Sequence, residues 1–200
     1  MIRRFFLLTI LWLAASPAFA QAPQPPTPGP VRVKLDTSLG PIVLELETAK
    51  APVTTANFLR YVDQKRYDDT IFYRALKMTG AGLIQGGVRD ARKLLPPIAH
   101  EPTTQTGIRH VEGTISMARG APGSANADFF ILTAPIPSFD ARPDQPGDNL
   151  GFAAFGRVVE GMDTVRTILE SPVSPTAGEG FMKGQMLEPP IKIITARRIN

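Results

Sequence analysis

The sequence predicts a mainly β protein: a closed antiparallel barrel whose ends are capped by two α-helices. Three observations predict it. Apolar runs of strand length recur from Val31 to Ile194, and between them lie loops rich in the chain's 17 glycines and 20 prolines. Only two stretches, 51–62 and 160–169, carry helical periodicity. The chain has no cysteine, so packing alone must hold the fold, and a closed barrel leaves no exposed sheet edge.

The elements follow in order. Arg3 and Arg4 precede an apolar run, Phe5–Ala15, and Ala18-Phe19-Ala20 has the small-x-small pattern of a cleavage site. Residues 1–20 therefore read as a signal peptide, too short in its apolar part to span a membrane comfortably, where a span needs about 20 residues. Residues 21–30, QAPQPPTPGP, form a proline-rich linker, and 31–200 form one domain. Val31–Leu35 and Ile42–Glu47 alternate in polarity around a turn at Ser38-Leu39-Gly40, which predicts a hairpin. Ala51–Val62 is a helix with Pro52 in its first turn and a stripe of Val53, Ala56 and Leu59 beside Phe58 and Val62.

Strands are expected at Thr70–Arg74, Gly82–Gln85, Thr114–Met117, Phe129–Leu132, Ala153–Val158 and Ile191–Ile194. The second helix, Glu160–Leu169, presents Met162, Val165, Ile168 and Leu169. Two long loops remain, 89–107 and 171–190, the second carrying Gly178-Glu179-Gly180-Phe181-Met182; each either extends the substrate surface or covers the barrel, and cover is the preferred reading.

Composition excludes several function classes. The net charge of +4 falls to +2 once Arg3 and Arg4 are removed, and no basic run points to nucleic acid. His100 and His110 lack metal-site spacing, no cysteine assists them, and no Ser, His and Asp arrangement can be argued from sequence. The glycines at 80, 82, 86 and 87 lack the strand–loop–helix setting of a phosphate loop.

Two blocks carry the chemistry. Phe72-Tyr73-Arg74 is followed by Gln85-Gly86-Gly87, and Ser116-Met117-Ala118-Arg119 is followed by Asp128-Phe129-Phe130-Ile131. With Phe155-Gly156-Arg157-Val158-Val159-Glu160-Gly161-Met162, they make the chain from about Val31 to Ile199 resemble the cyclophilin family of peptidyl-prolyl cis/trans isomerases. The resemblance implies a barrel of eight strands with two capping helices, no cofactor and no metal, and proline-containing polypeptides as partners. A monomer, free of the membrane after signal cleavage and located in the periplasm, is expected.

The chemistry of that activity fits these residue types. Rotation about an X–Pro amide faces a barrier of about 18–20 kcal/mol, and twisting returns electron density to the prolyl nitrogen. A catalyst needs an apolar pocket for the ring, a fixed donor near that nitrogen, and polar groups for the flanking backbone. Arg74 suits the donor. Gln85 can clamp a carbonyl and help hold Arg74. Phe130 suits the pocket floor, and Phe129, facing the other side of its strand, is expected in the core. Leu83 and Met117 are pocket walls or core. Ala118 lets a substrate backbone approach.

The resemblance further implies that Arg74 is the essential arginine, that Leu83 is a wall, and that Ala118 and Arg119 offer backbone to the ligand. It places Phe72 beside Arg74 among the substrate-binding residues. The chain departs from the family pattern in four places. The segment Ala75–Ile84 is about three residues longer than usual and lacks an aromatic, so Met78 is the candidate for the missing wall. Asp128 stands where an amide is usual, and a carboxylate there is expected to pair with Arg74 and compete with substrate. Ser138-Phe139 replaces a tryptophan-leucine pair, and Phe152 aligns with a pocket histidine or tyrosine. Phe139 and Phe152 restore apolar area without a polar tip, so weak cyclosporin binding is expected. The altered pocket positions, Asp128 above all, motivate one alternative, a proline-peptide binding module or holdase without turnover; the long loops motivate another, a structural barrel recruited to an envelope assembly through them.

Overall fold

The computed structural model describes residues 29–200, so the expected signal peptide and all but the last two linker residues lie outside the described residues. In chain order the elements are β1 Val31–Thr37, β2 Gly40–Leu46, α1 Pro52–Asp63, β3 Thr70–Met78, β4 Ala81–Gly87, α2 Thr103–Thr106, β5 Thr114–Met117, β6 Phe129–Leu132, β7 Ala153–Glu160, α3 Met162–Glu170, β8 Val173–Ser174 and β9 Met186–Ile199. The sheet runs β1-β2-β7-β5-β6-β4-β3-β9, and β9 returns to β1. Eight antiparallel strands thus close a barrel, as expected, while the two-residue β8 pairs only with β9. The single-turn α2 is additional to the two helices the periodicity reveals.

Strand alternation fills the interior. Val33, Leu35, Ile42, Leu44, Leu46, Phe72, Ile84, Ile115, Met117, Phe129, Ile131 and Phe155 belong to one buried core. α1 packs on β7 and β9, with the Phe58 ring centroid 5.0 Å from Tyr67, 5.5 Å from Phe129 and 5.3 Å from Phe155. A side chain of this size contributes about 1.5–3 kcal/mol on burial. α3 lies over β2, β3 and β4. Its Leu169 comes so close to β4 that a Cβ on Gly82 would sit 2.7 Å from Leu169 Cδ2.

The buried face of α1 differs from the expected stripe. Val53 and Ala56 face solvent, whereas Thr54, Thr55, Phe58, Leu59, Tyr61 and Val62 are buried. The reason is a partner from far along the chain. Ala51 at the N-cap makes no side-chain hydrogen bond. The buried Glu101 carboxylate caps instead, accepting from Val53 N at 3.1 Å, Thr54 N at 2.7 Å and Thr54 Oγ1 at 2.6 Å. It satisfies orphan N–H groups at the positive end of the helix dipole, which turns Thr54 inward. The loop 89–107 therefore covers the barrel as expected, with Leu95 and Ile98 on the core and Leu95 N donating to Tyr61 Oη at 2.7 Å.

The last strand begins earlier than the sequence predicts. β9 starts at Met186, paired with Arg74 of β3, and the next registered pair is Ile191 with Phe72. On the β3 side, Leu187–Pro190 thus lie opposite the single residue Tyr73. Prolines lack the ladder donor and are tolerated at such a bulge, so Pro189 and Pro190 do not end the strand.

Candidate active site

The site is a row of residues across the outer face of the barrel. Arg74 of β3 is registered with Gln85 of β4, Gln85 with Phe130 of β6, and Phe130 with Ser116 of β5. Residues far apart in sequence become lateral neighbours because all four strands pair antiparallel. On β6, Phe129 points into the core and Phe130 outward, as alternation predicts. A second apolar cluster of Leu83, Phe130, Leu132 and Ile136, with Leu76, Ala118, Phe139 and Phe152 packed on it, covers this outer wall. It borders a cavity of about 550 Å³.

Most expected site residues line that cavity: Arg74, Leu83, Gln85, Ala118, Arg119, Asp128, Phe130, Phe139 and Phe152. Phe72 and Met117 do not. Both are fully buried in the barrel core, Phe72 with its ring edge-on to Phe129 at 5.7 Å. Met117 sits one strand position from Ala118 and so faces the opposite side of the sheet, and Phe72, two residues before Arg74, faces inward because β3 is bulged between them. Met78 is exposed at the hairpin end, and the wall on that side is Leu76, registered with Leu83.

Three rings form the apolar floor. Phe130 lies 5.6 Å from Phe139 and 5.2 Å from Phe152, and Phe139 lies 4.9 Å from Phe152. Phe152 N donates to Phe139 O at 3.0 Å, which clips the two wall residues together. Gly151 permits this turn: its φ is +63° and a Cβ would meet Phe139 O at 2.4 Å. Arg119 serves through its side chain. Its guanidinium donates to Gly151 O and Asp148 and stacks 5.4 Å from the Phe152 ring, holding the 148–152 segment in place. Ala118 N donates to Asp128 O at 2.8 Å, so the Ala118 amide is not available to a ligand.

A chain of hydrogen bonds fixes the arginine. Arg74 Nη1 donates to Gln85 Oε1 at 2.8 Å, and Arg74 Nε to Gln185 Oε1 at 2.8 Å. Gln85 Nε2 donates to Tyr73 Oη at 2.6 Å, and that hydroxyl donates to Asp128 Oδ2 at 2.8 Å. Tyr73 reaches this side of the sheet because β3 is bulged between Phe72 and Arg74, where the register shifts. Asp128 is therefore not the partner of Arg74. It is held by Tyr73 and lies 3.6 Å from Arg89, whose guanidinium stacks 4.6 Å from the Tyr73 ring. Among the described residues Arg74 has no carboxylate within ion-pair distance.

The environment sets the charges. Burial pulls the Arg74 guanidinium below its usual pKa, though a guanidinium stays charged at neutral pH. Burial raises the Asp128 carboxyl, against the opposing pull of Tyr73 and Arg89. Burial, reinforced by the Asp128 charge, raises Tyr73 well above the usual phenol range, so its hydroxyl keeps the proton it donates.

Behind the floor the structure assembles a group that the sequence did not reveal. His110 Nδ1 lies 2.8 Å from Asp140 Oδ1 and His110 Nε2 lies 3.0 Å from Ser116 Oγ. This is no hydrolytic triad, because Ser116 and His110 are 0% and 1% exposed and no substrate reaches the hydroxyl. The His110 ring stacks on Phe130 at 6.2 Å and backs the pocket floor. Burial lowers the His110 pKa against the pull of Asp140.

Tyr73, Leu76, Arg89, Asn126, Phe181 and Met182 also line the cavity, although none of them is assigned to the site from sequence. Phe181, Met182 and Gln185 come from the loop after α3, so that loop extends the site rather than only covering the barrel. The signal available for Phe181 was an isolated aromatic in a glycine-rich segment. Among the described residues no group of three or more His, Cys, Asp or Glu is placed to hold a metal ion.

Comparison with known proteins agrees with this geometry. Residues 32–197 match the family model described as cyclophilin type peptidyl-prolyl cis-trans isomerase/CLD. The chain is 41% identical over 141 residues to peptidyl-prolyl cis-trans isomerase cyp18 of Streptomyces antibioticus, covering 68% of this chain and 81% of that protein. It is 37% identical over 168 residues to peptidyl-prolyl cis-trans isomerase A of Dickeya dadantii, covering 81% and 80%. A cyclophilin type isomerase of Cryptosporidium parvum, solved in the presence of an alanine-proline dipeptide, shares the fold with a TM-score of 0.67 at 22% identity, over 84% of this chain and 99% of that one. With the barrel, the row of site residues and a family match across nearly all the described residues, the chain belongs to the cyclophilin type peptidyl-prolyl cis-trans isomerases.

Proposed function

We propose that this isomerase seats a proline ring on Phe130, between Phe139, Phe152 and Leu83, and lowers the rotation barrier with Arg74. The observation that carries the reading is the double anchoring of Arg74. Two of its five N–H groups are held by Gln85 and Gln185, and the remaining donors have no partner among the described residues. A donor fixed beside an apolar floor meets the prolyl nitrogen as it gains electron density in the twisted amide. Because its position is set before substrate arrives, little reorganisation is needed at the transition state. No nucleophile or proton transfer enters the scheme.

Of the altered pocket positions that motivate the binding-module alternative, Asp128 is held by Tyr73 and Arg89 and does not compete for Arg74. Catalysed cis/trans exchange in an X–Pro peptide, followed by NMR, tests the mechanism. Arg74→Ala is expected to fold and to lose roughly a hundredfold or more of kcat/KM, the scale of one lost transition-state donor. Wild-type rates in a folded Arg74→Ala protein would sink the mechanism.

We further infer export to a bacterial periplasm and action on exported polypeptides as a monomer. The cleavable pattern of residues 1–20 and the linker 21–30 support the export reading. A mature N-terminus at Gln21, read by mass spectrometry from the envelope fraction, is the expected result; an uncleaved chain in the cytosol would contradict it.

A further inference from the structure

The loop between α3 and β9 is built around Arg74. Gln185 Oε1 accepts from Arg74 Nε at 2.8 Å, and the same amide donates through Nε2 to Phe181 O at 2.6 Å. Gly180–Met182 form a single 3₁₀ turn. Met182 N donates to Glu179 O at 3.0 Å, Gln185 N to Met182 O at 3.1 Å and Gly184 N to Ala177 O at 3.0 Å, which pins the turn. The turn holds the Phe181 ring centroid 5.4 Å from the Arg74 guanidinium carbon. Yet Phe181 is 78% exposed, more than any other large hydrophobic residue described.

Turn residues are ordinarily polar. An anchored aromatic left in solvent at the mouth of a binding cavity is placed to contact something else. Phe181 and Met182 line the same 550 Å³ cavity as Phe130, a volume greater than a pyrrolidine ring fills. Among the described residues the Phe181 ring touches no other ring, so it stands apart from the Phe130–Phe139–Phe152 floor. The cavity thus has two apolar surfaces, with the Arg74 guanidinium against the second.

We propose that Phe181 and Met182 form a second subsite that receives an apolar side chain next to the proline, so that the substrate class is proline flanked by a leucine-like or aromatic residue. This rests on the isomerase reading, in which proline sits on Phe130. The charges of the cavity agree. Arg74, Arg89 and Arg119 line it, and its one lining carboxylate, Asp128, is held by Tyr73 and Arg89. Arg119 is paired with Asp148, so Arg74 is the lining cation without an ion-pair partner, and a lysine beside the proline gains no unpaired lining carboxylate.

Two series of proline tetrapeptides test the subsite, one varying the residue before proline and one the residue after, each with glycine, leucine or lysine. Exchange rates and, separately, Kd from NMR titration are measured with the full chain. Leucine is expected to exceed glycine by roughly fivefold in one series, the scale of partly burying one apolar side chain, with lysine lowest. Phe181→Ala should erase the leucine advantage, and Phe181→Leu should keep most of it. Val111→Ala, exposed and outside the cavity lining, should leave the ratio unchanged. Equal leucine and glycine values in both series overturn the subsite, as does an advantage that survives Phe181→Ala. Binding without turnover overturns the isomerase mechanism while the Kd values still decide the subsite, and absence of binding to every peptide overturns both.

Discussion

Replacing Tyr73 by phenylalanine removes one oxygen from the wall of the cavity and leaves the ring that Arg89 stacks on. That oxygen accepts from Gln85 Nε2 at 2.6 Å and donates to Asp128 Oδ2 at 2.8 Å. The bond to the carboxylate is worth about 1.5–3 kcal/mol and the amide bond about 0.5–1.5 kcal/mol. Asp128 keeps 24% side-chain exposure and its Arg89 neighbour, so water and that cation offset part of the loss. A net destabilisation of about 2 kcal/mol lowers Tm by about 4–8 °C in a domain of this size. The functional effect is separate. Gln85 presents Oε1 to Arg74 because its Nε2 is engaged by Tyr73. Once released, the amide can turn, and Arg74 loses one of its two anchors. Small misplacements of a positioned group cost up to about a hundredfold; with Gln185 still in place, a roughly tenfold fall in kcat is expected, with KM little changed. Saturating NMR exchange kinetics and thermal unfolding, measured on the same samples, separate the two effects. Asp128→Asn, which keeps an acceptor for the hydroxyl, should retain most of kcat. A Tyr73→Phe protein that loses only Tm, with kcat within twofold of wild type, would refute the positioning argument.

Two further outcomes follow from a buried and a half-buried carboxylate. Glu101→Ala strips three hydrogen bonds from the first turn of α1, and Val53 at its edge is 42% exposed and can be rehydrated. A loss of about 3 kcal/mol, or about 6–12 °C in Tm, is expected without change in kcat, and a shift under 2 °C would show that the cap is dispensable. For Asp128 the folded pKa is raised by burial. Its contribution to stability is therefore fully present below the ordinary value of about 3.9 and is lost as pH rises through the raised folded value. Wild type should gain Tm relative to Asp128→Asn as pH falls from 7.5 towards 4. Glu45, Asp63 and Asp68, whose arginine partners lower their pKa, act in the opposite sense, but equally in both proteins. A difference that moves the other way would show that ionised Asp128 is favoured by the fold.

Local signals carried much of the fold and fell short where a distant partner decides. Thr114–Met117 and Phe129–Leu132 occur with the bounds read from their apolar runs. Alternation placed Phe129 inside and Phe130 in the pocket, because that rule depends only on strand neighbours. The same rule would have turned Tyr73 away from Arg74. The bulge that reverses it arises from pairing with β4 and β9, which no window around Tyr73 reveals. Glu101 is likewise invisible as a cap, since it lies 47 residues from the Thr54 hydroxyl it binds. Gln185 lies 111 residues from Arg74, in a long loop whose sequence does not show which of its side chains reaches the arginine.

Asp128 shows how a departure from the family pattern can be consistent with the site's chemistry. An ionised carboxylate only accepts hydrogen bonds, and a guanidinium only donates them. Asp128 therefore requires the Tyr73 hydroxyl to donate to it, and the Tyr73 oxygen then accepts from Gln85 Nε2. That leaves Gln85 Oε1 for Arg74, which can only donate. Both ends of the chain impose the same direction on every bond between them. A neutral amide at position 128 both donates and accepts, and would permit the reversed direction up to Gln85, where Arg74 alone would oppose it. The carboxylate removes that second arrangement. It holds Gln85 in the one orientation that anchors Arg74, and it does so from the far side of Tyr73, without contacting the arginine.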